Sequence, residues 1–339
     1  MRPWLAWLVA FYSLWLGLSF GLGNWAETLA HWPIAVAMAL GSFVAGSTPM
    51  GGGTVGFPVL VLFFDLPAAM GRDFGLAIQS IGMTSASIFI LCRGIPTERG
   101  LLLWALPGSA LGLVAGLLWI APAISDASIK LIFACLWASF GCLTLWKNRE
   151  LCAFVRPPGI DPREARALGL LVGIVGGVTT GLTGVGIDMF AYTLLVLLYR
   201  MDLKVSVPTS VLLMASSSIM GSGLQLARGE FGTELFFYWL AASPIVILGA
   251  PLGAVFVHVI RRLWTLYFVA VLCLVQFFWT LHQLQPSVSQ WIFVAANLSA
   301  ATVGFALLYR RGRRRAESKA PLAPAVDGPE CAAGYQATG

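Results

Sequence analysis

Long apolar runs separated by short polar gaps dominate this chain. Eight of the runs are about as long as the helix of roughly 20 residues that crosses the apolar core of a bilayer. They lie at 4–22, 74–92, 101–121, 128–146, 207–226, 236–257, 263–281 and 289–309. The pattern predicts an all-α polytopic membrane protein with about eight full transmembrane helices. The first run is interpreted as a retained helix, because it is longer than the core of a secretory signal, which is the alternative.

Two further apolar regions, 33–64 and 167–199, are too long for one crossing helix, and a glycine cluster interrupts each of them. The pieces that remain, such as 33–46 and 53–64, are shorter than a crossing. We interpret both regions as broken helices, each a hairpin of two half-helices that enters the membrane and leaves on the same side. Irregular backbone at membrane depth requires shielding by protein or by a water-filled cavity. Four short tilted crossings are the alternative.

The distribution of charge distinguishes these topologies. Only 11% of the residues are charged, whereas a soluble domain carries about 25%. With the N-terminus inside and both regions folded as hairpins, 18 of the 21 Lys and Arg residues fall on the inner side, and only Arg72, Lys130 and Arg228 fall outside. Basic residues favour the cytoplasmic side, so this asymmetry predicts two hairpins and cytoplasmic N- and C-termini. The basic run after residue 309 is interpreted as a membrane anchor, and no nucleic-acid partner is expected.

An internal repeat appears at an offset of 135 residues. The offset aligns Gly46, Thr48 and Gly51 with Gly181, Thr183 and Gly186. The predicted organisation is an extra N-terminal transmembrane helix in 1–24, repeat 1 in 33–146, a cytoplasmic basic loop in 147–166, repeat 2 in 167–281, an extra C-terminal transmembrane helix in 289–310 and a disordered cytoplasmic tail in 311–339. Each repeat is a hairpin plus three helices, so the copies are predicted to be inverted. Inverted repeats with broken helices are typical of secondary transporters, and a duplicated scaffold is the alternative.

The tip of the first hairpin is a candidate anion site. It contains Thr48, Gly51, Gly52, Gly53 and Thr54. A half-helix that begins near Gly53 would direct free N–H groups and the positive end of its dipole toward the tip. Glycines also let a ligand approach the backbone closely. Tight helix packing on small residues is the alternative.

The second tip contains Thr183, Gly184 and Gly186, and Asp188 follows directly. Asp188 is the only acidic residue inside a predicted membrane region. Its carboxylate is a candidate cap for the second half-helix and a candidate carrier of a coupling proton, and these roles are compatible.

Polar stripes follow on the helix after each hairpin. Their members are Gln79, Ser80, Thr84 and Ser87 in the first copy, and Ser217, Ser218, Ser222 and Gln225 in the second. Neutral hydroxyls and amides can bind the oxygens of an anion. The stripes therefore predict substrate-binding residues, of which we favour Gln79, Thr84, Ser217 and Ser218. Hydrogen bonding between helices is the alternative.

Other chemistry is not indicated. The spans contain no nucleophile–base pair, no metal-ligand spacing and no cofactor motif, so no catalytic residue, metal or cofactor is expected. An enzyme is the least favoured class. The charged pairs Arg72–Asp73 and Arg200–Asp202 border the hairpins and are interpreted as solvated loop pairs, with a role at the entrances as the alternative.

The glycine-rich text resembles a known family, the TauE/SafE sulfite exporter-like membrane permeases. The resemblance rests on Pro49-Met50-Gly51-Gly52-Gly53-Thr54 through Pro58 and Leu60, with a weaker copy from Gly181. It spans about 33–281 and implies transport of sulfite or an organosulfonate such as sulfoacetate across the bacterial inner membrane. The family's glycine-rich turn falls on Gly51, Gly52 and Gly53. The second copy departs from the pattern, because Ile187 and Asp188 replace glycine and Thr193 replaces proline.

Together these features predict a secondary transporter that works by alternating access, with the anion held where the two tips meet near the midplane. Proton coupling through Asp188 is a hypothesis. An anion channel that uses the same tips as a selectivity filter is the alternative. The expected partners are a small anion and the lipid bilayer, with protons and a second copy of the chain, as a homodimer, as candidates.

Overall fold

The computed structural model describes residues 1–48, 59–64, 66–153, 159–256 and 262–318. These residues form helices joined by short connections, and none of them belongs to a strand. Eight helices of this described part are long and apolar enough to cross a membrane. The protein is an all-α, multi-pass membrane protein, which confirms the predicted fold class.

Twelve α-helices occur in the described residues. They are α1 (Arg2–Leu16), α2 (Trp25–Ala30), α3 (Trp32–Ser47), α4 (Ala68–Cys92), α5 (Arg99–Ala115), α6 (Asp126–Ala153), α7 (Pro162–Thr183), α8 (Ile187–Thr193), α9 (Leu203–Ala227), α10 (Thr233–Phe256), α11 (Arg262–Leu284) and α12 (Val288–Ser318). Short π-helical stretches extend α1 (Gly17–Gly21), α5 (Gly116–Ile120) and α8 (Leu194–Leu198), and a further one, Val59–Phe63, precedes α4.

The two repeats exchange packing partners. Helix α3 of the first repeat packs on α10 of the second, whereas α7 of the second packs on α5 of the first. Equivalent glycines make equivalent contacts. A Cβ added at Gly46 would strike the carbonyl oxygen of Ala250, and one added at Gly181 would lie 2.9 Å from that of Leu113. Small residues let helix backbones approach this closely, so the repeated glycines build two matching interfaces between the repeats.

The second broken region reverses direction between α7 and α8. Gly184 has a φ of +80° and Gly186 a φ of +140°, which are values that favour glycine. A Cβ added at Gly186 would lie 2.7 Å from Cγ2 of Thr179, and one added at Gly176 would lie 2.8 Å from Cα of Ile187. Helix α8 therefore begins by running back along α7.

The first arm of this hairpin is longer than the predicted half-helix. Helix α7 has 22 residues, enough to cross a bilayer by length, whereas the return arm Ile187–Leu198 is a short apolar helix. The break at Gly184 and Gly186 lies near the middle of 167–199, as predicted, and the first arm is longer because α7 begins at Pro162, before the apolar region starts. The tip of the first hairpin, including Gly51, Gly52, Gly53 and Thr54, lies outside the described residues.

Two predicted boundaries are wrong. The basic loop 147–166 is shorter than predicted, because α6 continues to Ala153 and α7 begins at Pro162. Asp161 caps α7, with its Oδ1 accepting a hydrogen bond of 2.9 Å from the backbone N–H of Arg163. The tail predicted to be disordered from 311 instead continues α12 to Ser318, since Arg, Ala and Glu are good helix formers.

A contact of the C-terminal helix with the second hairpin also stabilises this extension. Nη1 and Nη2 of Arg315 each donate to a carboxylate oxygen of Glu164, at the start of α7, at 2.8 Å. The hydroxyl of Tyr199, after α8, donates to Glu164 Oε2 at 2.8 Å. The guanidinium of Arg315 lies 5.4 Å from the centre of the Tyr199 ring. The end of α12 is thus attached to both ends of the hairpin.

Replacing Arg315 by glutamine is expected to lower the stability of the protein in detergent by about 1 kcal/mol, since a half-exposed but bidentate pair is lost. The measurement is the midpoint of thermal unfolding. Arg314→Gln is the matched control, because Arg314 is an exposed neighbour on the same helix. Equal midpoints for the two variants would contradict the assignment of this contact as an anchor.

Helix α1, which precedes the repeats, is attached to α10 by two polar contacts. Pro244 has no N–H, so the carbonyl of Leu240, four residues earlier, lacks its helical donor. Nε1 of Trp15 donates to this carbonyl at 2.8 Å, and the hydroxyl of Tyr12 donates to the carbonyl of Pro244 at 2.7 Å. Trp15 therefore completes the hydrogen bonding that the proline interrupts, and Tyr12 adds a second contact beside it.

Candidate functional site

Helices α4 and α9 carry the two polar stripes and pack against each other. Nε2 of Gln225 donates to Oδ1 of Asp73 at 2.6 Å, and one turn further Gly221 lies against the side chain of Leu76. The residue numbers rise on α4 while they fall on α9, so the two helices are antiparallel. Continued at 1.5 Å per residue, this pairing brings Gln79 and Ser80, at the start of one stripe, level with Ser217 and Ser218, at the start of the other.

The tip of the second hairpin joins the first stripe. Nε2 of Gln79 donates to the carbonyl of Gly184 at 3.0 Å and to the carbonyl of Gly75 at 3.0 Å. A Cβ added at Gly184 would lie 2.6 Å from the carbonyl oxygen of Arg72. The antiparallel pairing places Ser218 level with Gln79. Two sequence-predicted residues, Gln79 and Gly184, are therefore in direct contact. The backbone of Gly184 lies against Arg72, nearer the start of α4, so the side chain of Gln79 reaches back along the helix to meet it.

Asp188 lies at the start of α8, with 1% of its surface exposed. Its Oδ1 accepts hydrogen bonds from the backbone N–H groups of Gly186 at 3.2 Å and Met189 at 2.9 Å. The N–H of Ile187 donates to Oγ1 of Thr180 at 3.0 Å. Asp188 therefore caps the start of α8, which is one of the two roles predicted for it, and Thr180 binds a further N–H group of this turn.

The other oxygen of Asp188, Oδ2, is buried and has no hydrogen-bond partner among the described residues. A protonated carboxyl would offer its O–H from this position, whereas an ionised one would leave a negatively charged oxygen without a donor. An unpartnered buried charge is costly. Oδ2 is therefore the atom of this tip that is available to bind a proton or a hydrogen-bond donor.

Other buried polar atoms without a partner in the described part of the chain share these helices. They are Gln79 Oε1, Thr84 Oγ1 and Ser87 Oγ on α4, Thr193 Oγ1 on α8, and Ser206 Oγ, Ser217 Oγ, Ser218 Oγ, Ser222 Oγ and Gln225 Oε1 on α9. Folded proteins satisfy the large majority of buried polar groups. So many unpartnered acceptors and hydroxyls along α4, α8 and α9 mark a polar lining, which a small polar ligand would satisfy.

The remaining predicted site residues have other positions. The hydroxyl of Thr183 donates to the carbonyls of Thr179 at 3.0 Å and Val185 at 2.8 Å, within the turn. Thr48 ends α3 and donates to the carbonyl of Val44 at 2.7 Å. Thr183 and Thr48 therefore use their hydroxyl protons to stabilise the backbone. The structure adds Thr180 to the residues that hold this tip, and its position four residues before a glycine break is a usable signal.

The interpretation of Arg72 and Asp73 as a solvated loop pair is wrong. Both residues lie in the first turns of α4, with side chains 11% and 14% exposed. Nε of Arg72 donates to Oδ1 of Asp73 at 2.6 Å, the same oxygen that Gln225 binds. The helix begins earlier than the apolar run because Asp126 of α6 accepts from the N–H of Ala68 at 2.5 Å and caps it.

Paired glycine interfaces and a broken helix are features of polytopic α-helical membrane transporters with discontinuous helices. The model of the family Sulfite exporter TauE/SafE matches residues 33–278, and the chain belongs to this family. Its members are membrane transporters rather than enzymes. The family match confirms the resemblance seen in the glycine-rich sequence. Comparison with curated proteins and with solved structures finds no match. Helix α12 lies beyond the matched range.

Proposed function

We propose that this protein is a secondary transporter that carries a small sulfur-containing oxyanion, sulfite or an organosulfonate such as sulfoacetate, across the bacterial inner membrane by alternating access. Family membership supports the transport of an anion. The observation that supports the site is the contact between Gln79 and Gly184, surrounded by unpartnered buried polar atoms of α4, α8 and α9.

Neutral groups bind the anion in this proposal. The hydroxyls of Thr84, Ser217 and Ser218 each offer an O–H that no described residue accepts. Hydrogen bonds from neutral donors are strong where water is excluded, and they allow release because they are weaker than those from a charged donor. The glycines Gly51, Gly52 and Gly53 of the first tip, with Thr54, complete the proposed site through backbone N–H groups.

Asp188 couples the anion to a proton in this proposal. When Oδ2 is protonated, it becomes a further donor to the anion. When it is ionised, it repels the anion. Anion and proton therefore bind together, and the loaded site carries less charge through the membrane than the anion alone, which lowers the cost of crossing an apolar region.

The glycine interfaces define the moving parts. The backbones of α5 and α7 approach closely, as do those of α3 and α10, and in this proposal each pair moves as one body. Alternating access follows when one pair rocks against the other around α4 and α9, exposing the site first to one side and then to the other.

Labelled sulfite and sulfoacetate counterflow into proteoliposomes tests this function. Wild-type protein is expected to show uptake that saturates and that unlabelled anion on the opposite side accelerates. Gly184→Val is expected to reduce this exchange by at least about tenfold, because the new side chain meets the backbone of Arg72 and strains the tip. Gly52→Val tests the first tip in the same way.

Gly94→Val is the matched control for Gly184→Val. Gly94 has a φ of +63° but no neighbouring atom within 4 Å of an added Cβ. Gly94→Val therefore imposes similar backbone strain without a clash, and this variant should transport the anion at the wild-type rate. Saturable counterflow that survives at Gly184→Val would overturn the site. Uptake that unlabelled anion never accelerates would instead indicate an anion channel, and no movement of any anion would overturn the proposed function.

A further inference from the structure

A charged cluster lies where α4 begins and α9 ends, at the face that the charge distribution predicts to be outer. Its members are Arg72, Asp73 and Gln225. Both Nε of Arg72 and Nε2 of Gln225 donate to Oδ1 of Asp73 at 2.6 Å. Gln225 is fully buried, and its Oε1 has no partner among the described residues. This is an organised polar site rather than a chance surface pair.

The repeated scaffold does not require this cluster. At the offset of 135 residues, Arg72, Asp73 and Gln225 correspond to Val207, Pro208 and Ile90. The equivalent helices α9 and α4 form with apolar residues at these positions. The charged groups therefore occur at only one end of the repeated scaffold. Because the equivalent helices form without them, we attribute them to function rather than to folding.

The position of Arg72 relates it to the candidate site. Its carbonyl oxygen and Cα lie against Gly184, whose carbonyl binds Gln79. The side chain is 11% exposed, so it reaches the outer surface from beside the hairpin tip. The ion pair with Asp73 uses Nε, and no hydrogen bond of Nη1 or Nη2 to a described residue accompanies it.

We propose that Arg72 binds the transported oxyanion at the outer entrance through Nη1 and Nη2, with Asp73 and Gln225 as positioning residues. The inference rests on the proposed function and adds the residue that first contacts the anion on this face. A guanidinium presents its terminal N–H groups as a planar fork that fits two oxygens of a sulfite or a sulfonate.

The nearby carboxylate sets the strength of this binding. Asp73 holds Nε and so orients the fork, and it also offsets part of the positive charge. A fully unpaired arginine would hold an anion too tightly for release, whereas transport needs binding that is reversible on each cycle. Gln225 fixes Asp73 from the other side, so neither residue needs to touch the anion.

The test measures uptake of labelled sulfite and sulfoacetate in right-side-out and inverted membrane vesicles that contain the full chain. Arg72→Gln is expected to raise the half-saturating concentration at the outer face by about tenfold or more, the loss expected for a charge-assisted hydrogen-bonded pair. The maximal rate and the half-saturating concentration at the inner face should change much less. Arg72→Lys, which keeps the charge but loses the fork, should give an intermediate value.

Arg228→Gln is the matched control, because it removes one positive charge from the same face. Arg228 is 44% exposed and pairs with Glu230 at 2.6 Å, outside the cluster. If both glutamine variants behave alike, the effect is general attraction of anions and the proposal is overturned. An unchanged half-saturation in a folded Arg72→Gln protein also overturns it while leaving the proposed function intact. A wild-type protein that moves neither anion overturns both.

Discussion

Asp188→Asn is expected to abolish proton-driven accumulation of the anion while the hairpin keeps its fold. Asparagine retains an oxygen that can accept from the N–H groups of Gly186 and Met189, so the start of α8 stays capped. Its amide cannot take up or release a proton at physiological pH. The substitution thus separates the capping role of this side chain from its proposed coupling role.

The measurement is uptake into proteoliposomes with and without an imposed pH gradient. In the variant, uptake with the gradient should fall to the level seen without it, whereas exchange of labelled for unlabelled anion should continue. Asp202→Asn is the control, because Asp202 also caps a helix, with Oδ1 accepting from the N–H of Lys204 at 3.0 Å. Full gradient-driven uptake by Asp188→Asn would rule out coupling through this residue.

Gly177→Val is expected to have the largest effect on stability, at about 3 kcal/mol or more. A Cβ added at Gly177 would lie 2.5 Å from the carbonyl oxygen of Ser109 and 2.8 Å from the backbone nitrogen of Leu113. Both contacts are with the backbone of α5, so no side chain can rotate away. Helices α5 and α7 would have to separate along their length, and Gly173 of the same interface would lose its contact too.

Gly223→Val provides the comparison for this variant. Gly223 lies inside the long helix α9, with nothing within 4 Å of an added Cβ. Both variants share the modest cost of a β-branched residue in a helix, and only one creates a clash. The readouts are the yield of monodisperse protein in detergent and the midpoint of thermal unfolding. A normal yield and midpoint for Gly177→Val would show that the interface is looser than the structure indicates.

The crossings were predictable because membrane helices follow from the length of apolar runs. The structural role of each glycine was not predictable from the sequence. Gly173, Gly177 and Gly181 pack one helix on another, whereas Gly184 and Gly186 break a helix. A glycine favours both outcomes, and the neighbouring helix decides between them. The break at Gly184 and Gly186 lies near the middle of 167–199, as predicted, but the sequence pattern does not distinguish these two glycines from those that pack.

The site was predictable residue by residue but not as an arrangement. Gln79 and Asp188 were predicted from polarity in an apolar setting and Gly184 from its place in a glycine cluster, and one contact joins Gln79 to Gly184. That Asp188 and Thr180 bind the N–H groups of the α8 start depends on how sharply the chain turns, and the sequence pattern carries no such distance. The helical position of Arg72 was missed because the cap from Asp126 comes from another helix.

Because helices of each repeat pack on helices of the other, the order of synthesis determines when each glycine interface can form. Only about 50 residues separate the end of α5 from the start of α7, and their synthesis takes a few seconds at about 5–20 residues per second. Roughly 190 residues separate the end of α3 from the start of α10, and their synthesis takes about 10–40 s at the same rate. During this time the face around Gly46 has no permanent neighbour. Of the two matching glycine interfaces, the one whose first surface is made earlier is thus completed later, and a chain that stops before α10 leaves the face around Gly46 uncovered.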